Sequence, residues 1–229
     1  MILYEDPDKV LLLIRSTANT KTGPIPQLWG FVPNISPRDA VNSGMDTNIC
    51  LDCAHRKDSH GPADTTRCYT HKGQTLSALA GIVKKHARGG YRTARDGQDI
   101  VDFLRGEKVQ GARAIRSMAY GDMAAFPPSV WAEIDVARKL AGIGVRGYTQ
   151  QWRKAQHLRG THMASVTNAF QAAEAESLGW RTFWSVRGKD APEGRVQCPA
   201  SKEKKITTCN NCRMCDGSFK APGVWIYEH

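Results

Sequence analysis

No apolar run in this chain approaches the roughly 18–20 residues that a bilayer-spanning helix needs. The longest near the N-terminus, Val10–Ile14, has only five residues, with Asp6 and Asp8 before it. No basic stretch precedes it and no small-residue cleavage site follows, so neither a membrane partner nor a secretory leader is expected, and a cytoplasmic location is. Internal repeats and low-complexity segments are lacking too. Acidic residues are in short supply: 22 Asp and Glu stand against 32 Lys and Arg, a net charge of +10. That balance favours a polyanionic partner, most simply nucleic acid. Hydrophobic residues make up 41% of the 229 positions, enough for a sizeable core, which excludes a disordered chain and suits a single domain over residues 1–229.

What the chain does have is seven cysteines. An odd number fits disulfide pairing poorly, and closely spaced cysteines in a reducing compartment more often hold metal. The C-terminal group is Cys198-Pro199 followed by Cys209, Cys212 and Cys215 in a C-x2-C-x2-C run, within a metal-binding segment at 195–217. Such a run wraps three corners of a cubane, and a distant thiolate takes the fourth, as in bacterial ferredoxins. Zinc is the rival, because four thiolates also make a closed tetrahedral site, although zinc sites usually show two separated C-x2-C pairs. The N-terminal group, in a loop at 42–72, is Cys50 and Cys53 with Cys68 fourteen residues on, and His55, His60 and His71 lie nearby. Three cysteines on a [4Fe–4S] cluster leave one iron open to a small molecule. With zinc, a histidine would complete the site. Four plus three accounts for all seven cysteines and favours two centres, although one shared site is the alternative.

Residues 1–40 read as irregular and Pro-rich, with a strand at Val10–Thr17 and a short apolar segment at Trp29–Val32. Thr75–His86 carries a helical apolar face. Asp96, with Asp99 three residues on, marks the start of a helix through Leu104. From 112 to 187 the chain alternates. Strands are expected at Ala112–Ala119, Val145–Thr149, His162–Val166 and Trp180–Val186. Helices are expected at Pro128–Leu140 and at Thr167–Leu178, the latter capped by Thr167. This βαβ core predicts an α/β fold, either a partial (β/α) barrel or an open parallel sheet, with cysteine-rich metal-binding loops.

Polar and aromatic residues follow the strands, where such folds place their active sites. Asp122, after Tyr120-Gly121, is the candidate general base or polar anchor. Tyr148, Gln150, Gln151 and Trp152 are candidates to line a pocket, Trp152 as a platform for a stacked base. Ser165 ends the third strand, and Arg187 and Lys189 the fourth. Lys84, Lys85, His86, Arg88, Arg92 and Arg95 form a basic stretch suited to phosphates.

Several phrases resemble a phage-type family of cysteine-rich iron–sulfur proteins: Cys68-Tyr69, Gly121-Asp122, Gly147-Tyr148-Thr149, Met163-Ala164-Ser165, Gly179-Trp180-Arg181-Thr182-Phe183 and Cys198-Pro199-Ala200-Ser201. That family in turn is similar to shortened radical-SAM barrels, in which a three-cysteine loop holds a cluster at the barrel mouth. The resemblance implies one or two [4Fe–4S] clusters, S-adenosylmethionine as a further ligand and action on nucleic acid in a host cytoplasm. The spacing here is C-x2-C-x14-C rather than C-x3-C-x2-C, and the aromatic Tyr69 follows the last cysteine instead of preceding it. A 7-deazaguanine DNA transglycosylase-like enzyme, with Asp122 as nucleophile, is one alternative, although its C-x-C-x2-C zinc spacing is absent. A non-enzymatic zinc or iron–sulfur nucleic-acid-binding protein is the other.

Overall fold

The structure, a computed structural model, describes residues 1–16, 19–56, 68, 74–187 and 191–227. The first sheet contains β1 (Ile2–Glu5), β2 (Val10–Ile14), β3 (Gln27–Phe31), β4 (Ala114–Tyr120) and β5 (Gly144–Arg146) in that spatial order. Pairings from β1 to β3 are antiparallel, and β3–β4 and β4–β5 are parallel, so this sheet is mixed. The second sheet, β6 (Tyr148–Thr149), β7 (Met163–Val166), β8 (Thr182–Val186), β10 (Val224–Tyr227) and β9 (Val196–Gln197), is parallel throughout. The fold is therefore α/β, and no closed barrel forms among the described residues.

The N-terminal forty residues are not irregular as expected. They supply three strands, and Leu11, Leu12 and Leu13 have no solvent exposure. Their sequence is apolar without alternation, which is how a strand covered on both faces reads. The expected strand Val145–Thr149 is broken at Gly147, where one extended stretch passes from the first sheet to the second. Only glycine fits there. A Cβ would lie 2.6 Å from the His162 ring and 3.0 Å from Ser117 Cβ. Between Gln27 and Trp29, two steps along β3, β4 advances four residues, from Arg116 to Tyr120. The resulting bulge puts Met118 at a φ of 62°, a strained conformation for a residue with a side chain.

Helix α1 (Pro37–Asn42) leads into what reads as an open cysteine loop, and α2 (Thr47–Cys50) lies within it. Next come α3 (Gln74–Ala87), α4 (Gly97–Val109), α5 (Pro128–Ala141) and α6 (Ala169–Ser177). Asp96 caps α4 as expected, its Oδ1 accepting from Asp99 N at 3.0 Å. Asn168 rather than Thr167 caps α6, accepting from Gln171 N at 2.9 Å. Trp131, Ile134 and Ala137 of α5 and Ala172 and Ala175 of α6 pack with Ile115, Val145, Ala164 and Val166 on one face of the strands. Alternation turns Arg116, Arg146, Tyr148, Met163 and Phe183 to the other face. There, Met163, Cys198, Ala200 and Val224 form a smaller cluster with Tyr148, Phe183, Cys209, Met214 and Cys215.

Candidate metal centres at the two ends of the strands

Cys50 and Cys53 lie toward the carboxyl ends of the parallel strands, whereas Cys209, Cys212 and Cys215 lie toward the amino ends and Cys198 directly follows β9. Cys50 closes α2, and Leu51 turns the chain at a φ of 51° so that Cys53 N donates to Cys50 O at 3.2 Å. Arg56 holds this turn. It pairs with Asp46 at 2.7 Å and donates to Leu51 O and Gly44 O, both at 3.1 Å. The thiols of Cys50 and Cys53 face Cys68 and Asp122 electrostatically. Burial pushes both thiols up, Cys53 to about 12, and the neighbouring negative charges add to it for Cys50. Tyr120 feels the same cysteines, and burial raises its hydroxyl.

Asp122 joins this loop to the carboxyl ends of β4 and β6. Its backbone N donates to Ile49 O at 2.7 Å. Its carboxylate accepts from Thr149 Oγ1 at 2.8 and 3.0 Å, from Gln150 N at 2.8 Å and from Ala124 N at 3.0 Å. Gly121, at a φ of 90°, makes this approach feasible, since a Cβ would lie 2.9 Å from Met118 Cε and 3.1 Å from Ile49 O. Burial raises the Asp122 carboxyl from its usual range against the pull of these donors.

The pocket grouping expected here holds in part. Gln150 Nε2 donates to Ser165 Oγ at 2.8 Å, which links the carboxyl ends of β6 and β7. Gln151 is buried and bonds Asp52 at the rim of the cysteine loop. Trp152 is 1% exposed and lies under the Arg153 guanidinium, so it is a core aromatic and not a stacking platform. Tyr148 projects to the opposite face from Thr149 and stacks on Phe183 at 4.6 Å, against the C-terminal cysteines rather than beside Asp122. Arg187 is exposed after β8. Tyr69, His60, His71 and Lys189 lie outside the described residues, and His55 N donates to Cys53 Sγ at 3.5 Å. Ser185 was not anticipated. Its Oγ is buried without a hydrogen-bond partner among the described residues, two residues beyond Phe183.

At the amino ends, the C-terminal segment reaches strand after strand. Cys209 N donates to Lys21 O at 3.1 Å and Asn210 N to Thr22 O at 2.8 Å, before β3. Asn210 brackets the approach to β4, accepting from Arg113 N at 2.7 Å and donating to Gly111 O at 2.9 Å. Gly147 N donates to Cys215 O, and Gly217 N to Thr161 O before β7, both at 3.2 Å. Arg181, before β8, donates to the carbonyls of Met214, Asp216, Ala221 and Pro222. The Cys215 thiol faces those of Cys198, Cys209 and Cys212, so the segment brings its four cysteines together. Burial raises Cys215, Cys209 and Cys198. Met214 N donates to Cys212 Sγ at 3.5 Å, repeating the His55–Cys53 arrangement.

These donor sets suit an iron–sulfur cluster: grouped thiols, amides aimed at sulfur, and cationic neighbours for an anionic centre. No three Cys, His, Asp or Glu among the described residues stand arranged to hold a single metal ion. A cubane spreads its thiolates over separate irons, a wider spacing than the roughly 3.8 Å between sulfurs that zinc bonds of about 2.3 Å imply.

The basic stretch is partly neutralised. Arg92 and Arg95 pair with Asp99 at 3.1 and 2.8 Å, His86 with Glu5 at 3.1 Å, and Lys85 lies over the Tyr91 ring at 4.8 Å. Lys84 and Arg88 have no ion pair among the described residues. Two surface grooves lie away from the cysteines, one beside Val136 and Leu140 and one beside Trp131 and Thr161. No helix among the described residues is long and apolar enough to cross a membrane. No family model matches the chain, and neither does any curated protein or solved structure.

Proposed function

We propose that this chain is an iron–sulfur protein that modifies nucleic acid, with its reactive centre on Cys50, Cys53 and Cys68 at the mouth of a partial (β/α) barrel. One observation carries the reading: these three thiols and Asp122 gather at the carboxyl ends of parallel strands. Open α/β sheets and barrels keep their ligand sites there, whereas the amino ends serve stability. The passage of the chain between sheets at Gly147 supports the barrel-like reading, since it sets β3, β4 and the strands from β6 onward in one parallel succession.

Each residue has a task in this scheme. Cys50, Cys53 and Cys68 would hold the cluster, and an iron without a protein thiolate would supply a binding position for a small molecule bearing amine and carboxylate groups, of which S-adenosylmethionine is the one the resemblance implies. Asp122 ties the cysteine loop to β6 and is a positioning residue, because its oxygens are already engaged. Gln150, Ser165 and Ser185 offer polar contacts near the same strand ends. Arg187 and the surface lysines supply attraction for phosphates.

A second reading is a metal-stapled nucleic-acid-binding protein without chemistry of its own. It draws on the C-terminal group, which has four thiols and so no open corner. Anaerobic purification, iron and sulfide analysis, and electron paramagnetic resonance of the reduced protein decide between the two. Two clusters, about eight irons per chain, are expected. Added S-adenosylmethionine should perturb one signal, and Cys53→Ser should abolish that signal alone. A colourless protein with stoichiometric zinc would overturn the iron–sulfur reading.

A further inference from the structure

Arg146 sits where a charged residue is least expected. It lies on β5 between Val145 and Gly147 and is 7% exposed. Its Nε donates to Cys209 O at 3.0 Å and its Nη1 to Val145 O at 2.7 Å. Both acceptors are neutral carbonyls, and no carboxylate pairs with this guanidinium among the described residues. The nearest acid, Asp216, is buried and faces Arg146 without an ion pair among the described residues, its Oδ1 accepting from Ser218 N and Oγ at 3.0 and 2.6 Å. One carboxylate beyond ion-pair distance offsets a buried cation only in part, and unmet buried charge costs several kcal/mol, so the site has room for further anionic charge. Besides Asp216, the groups facing Arg146 that can become anionic are Cys215, Cys212 and Cys209. Arg181 approaches the same segment from β8. It is half-buried, bonds only carbonyls, and also faces Cys215.

Metal binding turns four neutral thiols into four thiolates. An oxidised cubane core of charge +2 on four thiolates is left with a net −2. Arg146 and Arg181, together with Arg116 and Lys21 near Cys209, outweigh Asp216 and offset that charge. We propose that Cys198, Cys209, Cys212 and Cys215 hold a closed, net-anionic metal centre at the amino ends of the strands, with Arg146 and Arg181 as its built-in counter-charge. Arg146 is the positioning residue of the pair. It fixes the Cys209 carbonyl while its charge lowers the cost of the dianion. That the centre is a cluster rests on the iron–sulfur reading above.

The test uses the full chain in a Cys53→Ser background, which isolates the C-terminal centre, reconstituted with iron and sulfide. Arg146→Lys should retain metal as the parent does. Arg146→Met should weaken retention against EDTA about tenfold or more. In the iron form it should also move the reduction potential to more negative values, because reduction adds negative charge beside a lost cation. Arg181→Met, at a less buried site, serves if Arg146→Met fails to fold, with the same expected direction. Equal retention and equal potential in all of these variants would overturn the counter-charge proposal. The reading of the site itself fails separately, if Cys212→Ser in this background loses no metal.

Discussion

Asp122 accepts from Thr149, Gln150 and Ala124 while its own amide holds Ile49, so it spans β4, β6 and the first cysteine loop. Replacing it with alanine leaves buried donors unpaired and should cost about 3 kcal/mol in urea unfolding. It should also lower metal content at the three-cysteine loop while sparing the C-terminal centre. Loss of activity with full metal content and unchanged stability would instead make Asp122 a catalytic acid or base. His162 gives a pH prediction. It is fully buried, with Ser117 Oγ 2.7 Å from its Nε2, and burial lowers its pKa from 6.5 to about 3. A depressed folded value means the neutral ring stabilises the fold above pH 6.5, and that stability is lost as pH falls toward 3. The slope is on the order of 1 kcal/mol per pH unit, and His162→Gln should flatten it in acid unfolding curves. The cysteines and Asp122 were legible in sequence because their spacing and their place after a strand carry the signal. Arg146 was not, although a lone arginine in an apolar strand was there to be seen. Its meaning depends on a segment some sixty residues away that only folding brings to it.

Helices announced themselves through their caps. Asp96 and Pro128 mark starts by local chemistry that tertiary contacts leave alone. Strands were harder. β1, β9 and β10 have two to four residues each and exist because a neighbouring strand pairs with them, which no local pattern records. The C-terminal segment is held as much by Asn210 as by its cysteines. Asn210→Ala removes the acceptor for Arg113 N and the donor to Gly111 O, leaving both unpaired. It should cost about 1–2 kcal/mol in the loaded protein. In limited proteolysis, Cys212→Ser should be cut between residues 198 and 217 while the parent resists, since metal binding is folding energy for such segments. Equal resistance would mean that hydrogen bonds alone hold the segment.

Across the whole molecule, the charge of +10 does not sit where the sequence concentrates it. Ion pairs absorb half of the 84–95 stretch, whereas Lys202, Lys204 and Lys205 stand exposed around Ile206 near Cys198. Nucleic-acid affinity should therefore fall steeply with salt by counterion release. Reversing Lys202, Lys204 and Lys205 to Glu should weaken it more than reversing Lys84 and Arg88. The reverse order, measured by fluorescence anisotropy across a salt series, would return the interface to α3.

The segment that seals the amino ends follows in sequence the strand approaches from Lys21 and Thr22 through Gly111, Gly147 and Thr161 to Arg181, and of the strands it touches only β10 comes after it. During synthesis, then, β1 to β8 emerge with that end unstoppered. The last ligand, Cys215, leaves the ribosome only after β8 is complete. On the proposed assignment, loading the C-terminal centre would thus be a late event in the life of the chain, and a cell short of the metal would accumulate protein with β1 to β8 formed and one end still open.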